Sequence, residues 1–225
     1  MNEENSNQAP LVVVDLLRHV RDYADAVVNS HHKHTAANRP LRVASLGSDW
    51  DKEFSGAAGI QVTGSPDMLE DVAWAAKLCD ALEQAATDGI PVLGVCFGHQ
   101  MLGVHFGATM ASWNQPKVGV NAVSFADDGP FQKDTIPILL THRDYLTDLG
   151  TTLEACGSGG YGGVQAWRHP RLPIWGVQGH PEADAALTRT AEGKDVEHFS
   201  DEELATPAAK GILRRFGQLM DARDS

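Results

Sequence analysis

Cys96 is the residue of this chain best placed to do chemistry. It follows an apolar run at 91–95 and precedes a helix-like segment, with Gly94 and Gly98 on either side. A cysteine at a sharp strand-to-helix turn projects out of its sheet, and small neighbours let the backbone take the turn. The N-terminus of the following helix favours the thiolate, which is the attacking species. The pattern therefore predicts a cysteine nucleophile.

A cysteine nucleophile needs a base, and His180 is the best of the ten histidines. It follows the apolar run at 174–178, and Glu182 stands two residues further on. Residues i and i+2 of an extended segment share a face, so the carboxylate can fix the tautomer of the imidazole. The carboxyl ends of parallel strands gather reactive groups, so we expect His180 to lie beside Cys96.

The same reaction needs hydrogen-bond donors for a developing oxyanion. The backbone N–H of Phe97, directly after the cysteine, is one expected donor. The second is expected from the segment Gly64-Ser65-Pro66 at the end of another apolar run. Backbone donors do not depend on the side chain, so either Gly64 or Ser65 fits this role.

Strands and helices alternate along most of the chain. Strands are predicted at 11–15, 41–46, 59–63, 91–95 and 174–178, with helices at about 19–29, 68–87 and 96–106. Short strands at 108–113, 117–125, 138–141, 151–156 and 163–167 predict an antiparallel or mixed extension, and 201–222 predicts one or two helices interrupted near Pro207. These patterns predict a single α/β domain with a mostly parallel central sheet flanked by helices.

Within that domain, we expect residues 1–10 to be disordered or poorly ordered and 11–190 to form the main unit. Residues 191–225 are expected to form a helical extension packed on it. The extension contains Lys210, Arg214 and Arg215, and these are expected to be part of that packed helix or, alternatively, to dock a partner.

Composition excludes several classes of protein. A net charge of −12 disfavours binding to nucleic acid or to an anionic membrane. No apolar run approaches the roughly 18 residues of a membrane helix. Three widely spaced cysteines without a CxxC pair indicate neither a disulfide framework nor a zinc ribbon, so a reducing cytoplasm is expected. His31, His32 and His34 are predicted to lie in a solvated loop after a helix, and no metal site is expected.

Three segments together resemble the class I glutamine amidotransferases, over roughly residues 11–185. They are GVCFGHQ at 94–100, GVQGHPE at 176–182 and VTGSPD at 62–67. The resemblance is closest in style to the glutaminase domain of GMP synthase and its stand-alone relatives, and it implies a flavodoxin-like architecture.

The resemblance also implies roles for individual residues. It implies a Cys-His-Glu triad of Cys96, His180 and Glu182, with VTGSPD as the oxyanion loop. Gln100 is similar to a family glutamine that contacts substrate. LLTHRDYL at 139–146 is similar to a family loop near the amino and carboxyl groups of the substrate, which makes His142 and Arg143 candidates. Gly179 departs from the family pattern, which usually has a bulky residue there, so we expect a looser backbone or extra room.

The implied activity is hydrolysis of the glutamine side-chain amide through a cysteine thioester, without a cofactor. The ammonia would pass to an ATP-dependent synthetase partner, as in GMP synthase. One alternative is a stand-alone hydrolase of γ-glutamyl peptides or conjugates. A second alternative is a binding or regulatory subunit that keeps the fold without turnover.

Overall fold

The structure is a computed structural model that describes residues 8–17, 21–184, 199–204 and 206–223. The expectations for 1–7, for 19–20 in the first helix and for 185–198 lie outside the described residues. The domain limits proposed from the sequence therefore stay predictions.

In the described part of the chain, nine strands form one sheet. In chain order they are β1 (Leu11–Asp15), β2 (Leu41–Ser45), β3 (Gly59–Val62), β4 (Val92–Val95), β5 (Thr109–Phe125), β6 (Asp134–Asp148), β7 (Glu154–Gly159), β8 (Ala166–Arg168) and β9 (Ile174–Val177). The described helices are α1 (Arg21–Ala36), α2 (Trp50–Phe54), α3 (Ala75–Thr87), α4 (Phe97–His105), α5 (Asp201–Leu204) and α6 (Pro207–Arg223), with a 3-10 turn at Leu69–Asp71.

The strand order is β2-β1-β3-β4-β9-β8-β7-β5-β6. The first five strands in this order pair in parallel, and the remaining pairs are antiparallel. This confirms the predicted α/β class, with its parallel sheet and antiparallel extension. The parallel strands β4 and β9 are direct neighbours, with Val95 opposite Val177, although the antiparallel strands lie between them in the chain.

Helices bury both faces of the parallel strands. Val12 and Val14 of β1 belong to the apolar cluster that contains Leu78 of α3 and Leu102 of α4. Alternate residues of the same strand face the opposite cluster, formed with Phe216 and other residues of α6. Burial on both faces explains why these strands read as continuous apolar runs.

Three expectations about elements were wrong. The helix predicted from 68 begins at Ala75, because Leu69, Val72 and Trp74 pack against the core from an irregular segment. The segment 139–146, which resembles a family loop, lies inside the long strand β6, of which only 138–141 was predicted to be a strand. His31, His32 and His34 lie inside α1 rather than in a loop, and His31 is fully buried.

Neither a membrane span nor a metal site is found among the described residues. None of the described helices combines the length and apolar character needed to cross a bilayer. Within the same residues, no group of three histidine, cysteine or acidic side chains is arranged to hold a metal ion.

Candidate active site

Cys96 stands at a sharp turn between β4 and α4. Its φ of 50° and ψ of −103° lie in a sparsely populated region, and it is the one described non-glycine residue with positive φ. Such a conformation costs on the order of 1–3 kcal/mol. The two flanking glycines make it possible. A Cβ at Gly94 would lie 2.6 Å from the carbonyl of Gly98, and a Cβ at Gly98 would lie 2.9 Å from the carbonyl oxygen of Val62.

His180 lies just beyond the neighbouring strand β9. The backbone N–H of Cys96 donates to the carbonyl of Val177 at 2.9 Å, which ties the turn to this strand. A Cβ at Gly64 would lie 3.4 Å from Cε1 of His180 and 4.0 Å from Sγ of Cys96, so the ring and the sulfur border the same small volume. The third strand end, at Gly64, completes this volume.

Glu182 binds the other side of the imidazole. Nδ1 of His180 and Oε1 of Glu182 are 2.7 Å apart, and Glu182 is 1% exposed. Nε2 of His180 has no hydrogen-bond partner among the described residues, so this nitrogen is free to exchange a proton. The series of sulfur, imidazole and carboxylate suits nucleophilic acyl transfer.

The electrostatics of the pair favour an ionised carboxylate and a protonated imidazole. Burial alone would lower the pKa of His180, but the Glu182 carboxylate and the Cys96 sulfur raise it well above its usual 6.5. Burial would raise the pKa of Glu182, but the charge of His180 and their hydrogen bond lower it to about 2. The two residues therefore stabilise each other as an ion pair.

The loop after β3 is fixed by side-chain hydrogen bonds. The hydroxyl of Thr63 donates to the carbonyl of Gly64 at 3.0 Å and accepts from the backbone N–H of Leu16 at 3.1 Å. The hydroxyl of Ser65 donates to the carbonyl of Leu16 and accepts from the N–H of Asp67. The Ser65 side chain is thus engaged in the turn, which leaves backbone groups as the candidate donors to a ligand.

A cavity of about 230 Å³ opens over these groups. This is below the roughly 300–1,000 Å³ of sites for drug-sized ligands, and it suits a substrate the size of an amino acid. Leu17, Tyr23 and Val27 form an apolar side of the cavity. The other lining residues are Gly64, Ser65, Pro66, Cys96, Thr141, His180 and Glu182.

Four of the residues predicted from the sequence lie close by without lining the cavity. Phe97 is the first residue of α4, where N–H groups lack intrahelical partners, and its ring packs on Trp74. Gln100 is buried and donates to the carbonyl of Asp144 at 2.6 Å. Nδ1 of His142 donates to that same carbonyl at 2.9 Å, and Arg143 binds the Asp144 carboxylate. Their functional roles stay predictions.

Gly179 does not open space beside the base. A Cβ there would lie 2.7 Å from Cδ1 of Ile138, so this β6 side chain already fills the volume. The backbone is also held, because the N–H of His180 donates to the carbonyl of Leu139 at 2.9 Å. The expectation of a loose or roomy backbone at this position was therefore wrong.

Gln178 contacts the sulfur and is absent from the sequence-based candidates. Its Nε2 donates to Sγ of Cys96 at 3.7 Å, and its Oε1 accepts from Gln100 at 3.1 Å. The sequence could have indicated Gln178, because it stands two residues before His180 and such residues share one side of an extended segment.

Comparison with known proteins shows the family to which the chain belongs. The sequence profile of the class-I glutamine amidotransferases matches residues 19–194. The chain is 37% identical over 97 residues to aminodeoxychorismate synthase of Streptomyces griseus, an alignment that covers 42% of the chain and only 13% of that protein. It is 27% identical over 142 residues to a glutamine-hydrolysing GMP synthase subunit of Thermococcus kodakarensis, covering 61% of the chain and 71% of the relative.

Solved structures share the fold. A glutamine amidotransferase from Thermotoga maritima superposes with a TM-score of 0.72 at 18% identity, covering 95% of this chain and 98% of that one. A glutamine amidotransferase from Methylobacillus flagellatus superposes with a TM-score of 0.66 at 16% identity, covering 96% and 94%. At such identities the likeness concerns the architecture.

Proposed function

Because this chain belongs to the class-I glutamine amidotransferase family, we propose that it hydrolyses the side-chain amide of glutamine through a thioester on Cys96. The observation that carries the proposal is the meeting of a thiol, an imidazole and a buried carboxylate at one edge of the sheet, beside a cavity of amino-acid size. Strain at the cysteine supports the same role, since such conformations concentrate at functional sites.

The proposed reaction has two stages. The thiolate of Cys96 attacks the amide carbon of glutamine, and backbone N–H groups near Gly64 and Phe97 stabilise the oxyanion. Protonated His180, held by Glu182, gives its proton to the leaving ammonia. The same imidazole then takes a proton from water, which attacks the thioester and releases glutamate.

We further propose that the ammonia passes to an ATP-dependent synthetase partner. Support comes from the relatives, several of which are named as glutamine-hydrolysing subunits of GMP synthase. Extra room at Gly179 would suit a substrate other than glutamine, but Ile138 fills that room. No specific observation therefore favours the alternative over the amidotransferase.

The test is to measure glutamate and ammonia released by the purified chain from glutamine and from γ-glutamyl peptides, with Cys96→Ser as the background. We expect glutamine to be the better substrate and the activity to depend on Cys96. Because the proposal allows full activity to depend on a partner synthetase, the assay is repeated in the presence of co-purifying proteins. Efficient turnover of a γ-glutamyl peptide with poor use of glutamine would refute it.

A further inference from the structure

Side chains from two helices bind the backbone of the segment that carries Glu182. The hydroxyl of Ser30 in α1 donates to the backbone carbonyl of Glu182. The ammonium of Lys210 in α6 donates to the backbone carbonyl of Ala183 at 2.7 Å. Ser30 and Lys210 are each only 3% exposed. Adjacent carbonyls of the segment that carries the carboxylate are thus fixed by side chains from opposite ends of the chain.

Lys210 occupies a core position of its helix. It stands on the same stripe of α6 as Leu213, Phe216 and Met220, all of which are buried. Lysine is almost never fully buried unless its ammonium is paired, because removing the charge from water is costly. Here the ammonium is bonded to Ala183 and lies within the electrostatic influence of Glu182. An apolar side chain would pack at this position without that cost, so the charge itself has a use.

The ammonium keeps most of its charge at neutral pH. Burial lowers the pKa of Lys210 to about 8, the carboxylates of Glu182 and Asp184 raise it, and the cations Lys33 and Arg214 lower it further. Lys210 is therefore a cation at pH 7 that begins to discharge about one unit higher.

The neighbouring histidines of α1 do not supply this charge. His31 lies near Glu182, but burial lowers its pKa, and its Nδ1 is bonded to Oε1 of Gln61 at 3.0 Å. Burial also lowers the pKa of His34 to about 4. Both rings are neutral at pH 7, so the positive charge beside Glu182 within this cluster, apart from His180 itself, is that of Lys210.

We propose that Ser30 and Lys210 are positioning residues for the base, fixing the Glu182–Ala183 backbone and setting the charge around the His180–Glu182 pair. Neither lines the cavity, so neither touches the substrate. The consequence is that α6 places a buried positive charge behind the carboxylate of the pair. This inference rests on the proposed function, because it assumes that His180 exchanges protons with Cys96.

The first test is the pH dependence of Cys96 alkylation by iodoacetamide, which requires no substrate. Cys79 and Cys156 are buried, with pKa values raised to about 12, and Cys96→Ser gives the background. Removing a nearby positive charge makes protonation easier, so Lys210→Met should move the midpoint of alkylation to higher pH by roughly 1 unit. Lys33→Met removes the same charge from an exposed position of α1 and should leave the midpoint in place.

The second test uses glutamine hydrolysis in a double-mutant cycle. Ser30→Ala and Lys210→Met should each lower kcat roughly tenfold with KM nearly unchanged, since a misplaced base costs turnover rather than binding. The double variant should lose less than the product of the two, because both residues act on one segment. Ser30→Ala deletes only a hydroxyl, so it carries the test even if Lys210→Met does not fold.

The outcomes distinguish failure of this inference from failure of the proposed function. If wild-type Cys96 is alkylated with the pH dependence of free cysteine, its coupling to His180 is absent and both proposals fall. If the wild type shows the coupling but Lys210→Met leaves the midpoint unmoved, or Lys33→Met moves it equally, the positioning role alone is overturned. Multiplicative losses of kcat in the double variant would also overturn it.

Discussion

A methyl group at residue 64 would intrude between the sulfur and the imidazole. In Gly64→Ala the new carbon would lie 3.4 Å from Cε1 of His180, 3.6 Å from Cβ of Cys96 and 4.0 Å from Sγ. These are close to ordinary van der Waals distances, so the free protein can accommodate the methyl. A substrate carbonyl that must reach the sulfur and the nearby backbone donors cannot share that space.

The expected effect is large on turnover and small on stability. Losing one oxyanion donor costs about 3–4 kcal/mol in other enzymes, which corresponds to roughly 10²–10³ in kcat. We expect Gly64→Ala to lower kcat/KM for glutamine by about that factor. Gly64 does not have positive φ, so the alanine is not strained, and the free energy of unfolding should change by no more than about 1 kcal/mol.

The assay is steady-state glutaminase activity together with urea unfolding of both proteins. Gly211→Ala is the matched control, since a Cβ there meets nothing closer than Nη2 of Arg214 at 3.9 Å. This helix substitution should raise stability by about 0.5–1 kcal/mol and leave kcat/KM unchanged. Wild-type kcat/KM in Gly64→Ala would refute the assignment of this strand end to the reacting volume.

Three further predictions concern the same region. Glu182→Gln removes the carboxylate that raises the pKa of His180, so the imidazolium loses its proton at lower pH. The alkaline limb of the kcat/KM profile should therefore shift to lower pH, and an unchanged limb would contradict the pairing. Gly179→Phe should destabilise the fold by roughly 1–3 kcal/mol in urea unfolding, because the new side chain would clash with Ile138. Adding Ile138→Ala should recover part of this loss, and equal stability of the single and double variants would argue against contact between positions 179 and 138. A thiol reagent at pH 8 should react with Cys96 alone in the native protein, because burial raises the pKa of the other two thiols to about 12. All three cysteines should react after unfolding, and a second fast-reacting thiol in the native state would count against burial of the other two.

The parallel half of the sheet was predictable because its strands are buried on both faces. Runs such as 11–15 and 91–95 are almost wholly apolar, which distinguishes them from half-exposed strands. The start of α3 was not predictable, since tertiary packing of Trp74 outweighs local helical preference there. The extension of β6 over 142–146 was missed, because that part of the strand pairs with residues 110–117 much earlier in the chain.

The residues of the candidate site also fall into those that the sequence predicts and those that only the fold reveals. Cys96 and the His180–Glu182 pair stand in short motifs whose chemistry can be read locally. Ser30 and Lys210 join them only because α1 and α6 pack together beside the sheet. A lysine on the apolar stripe of a helix was the one available hint, and nothing in the sequence indicates which buried group it faces.

The direct pairing of β4 with β9 sets the ends of these two strands one inter-strand step apart, about 4.8 Å. The intervening chain leaves the parallel layer after α4 and returns to it at β9, so its length does not enter that spacing. The hairpin tip at 126–133 does not share this independence, because Phe131 is fully buried and Asp128 accepts a hydrogen bond from the indole N–H of Trp175 in β9. An engineer who wished to graft a sensor or a docking loop onto this scaffold would therefore leave that tip intact.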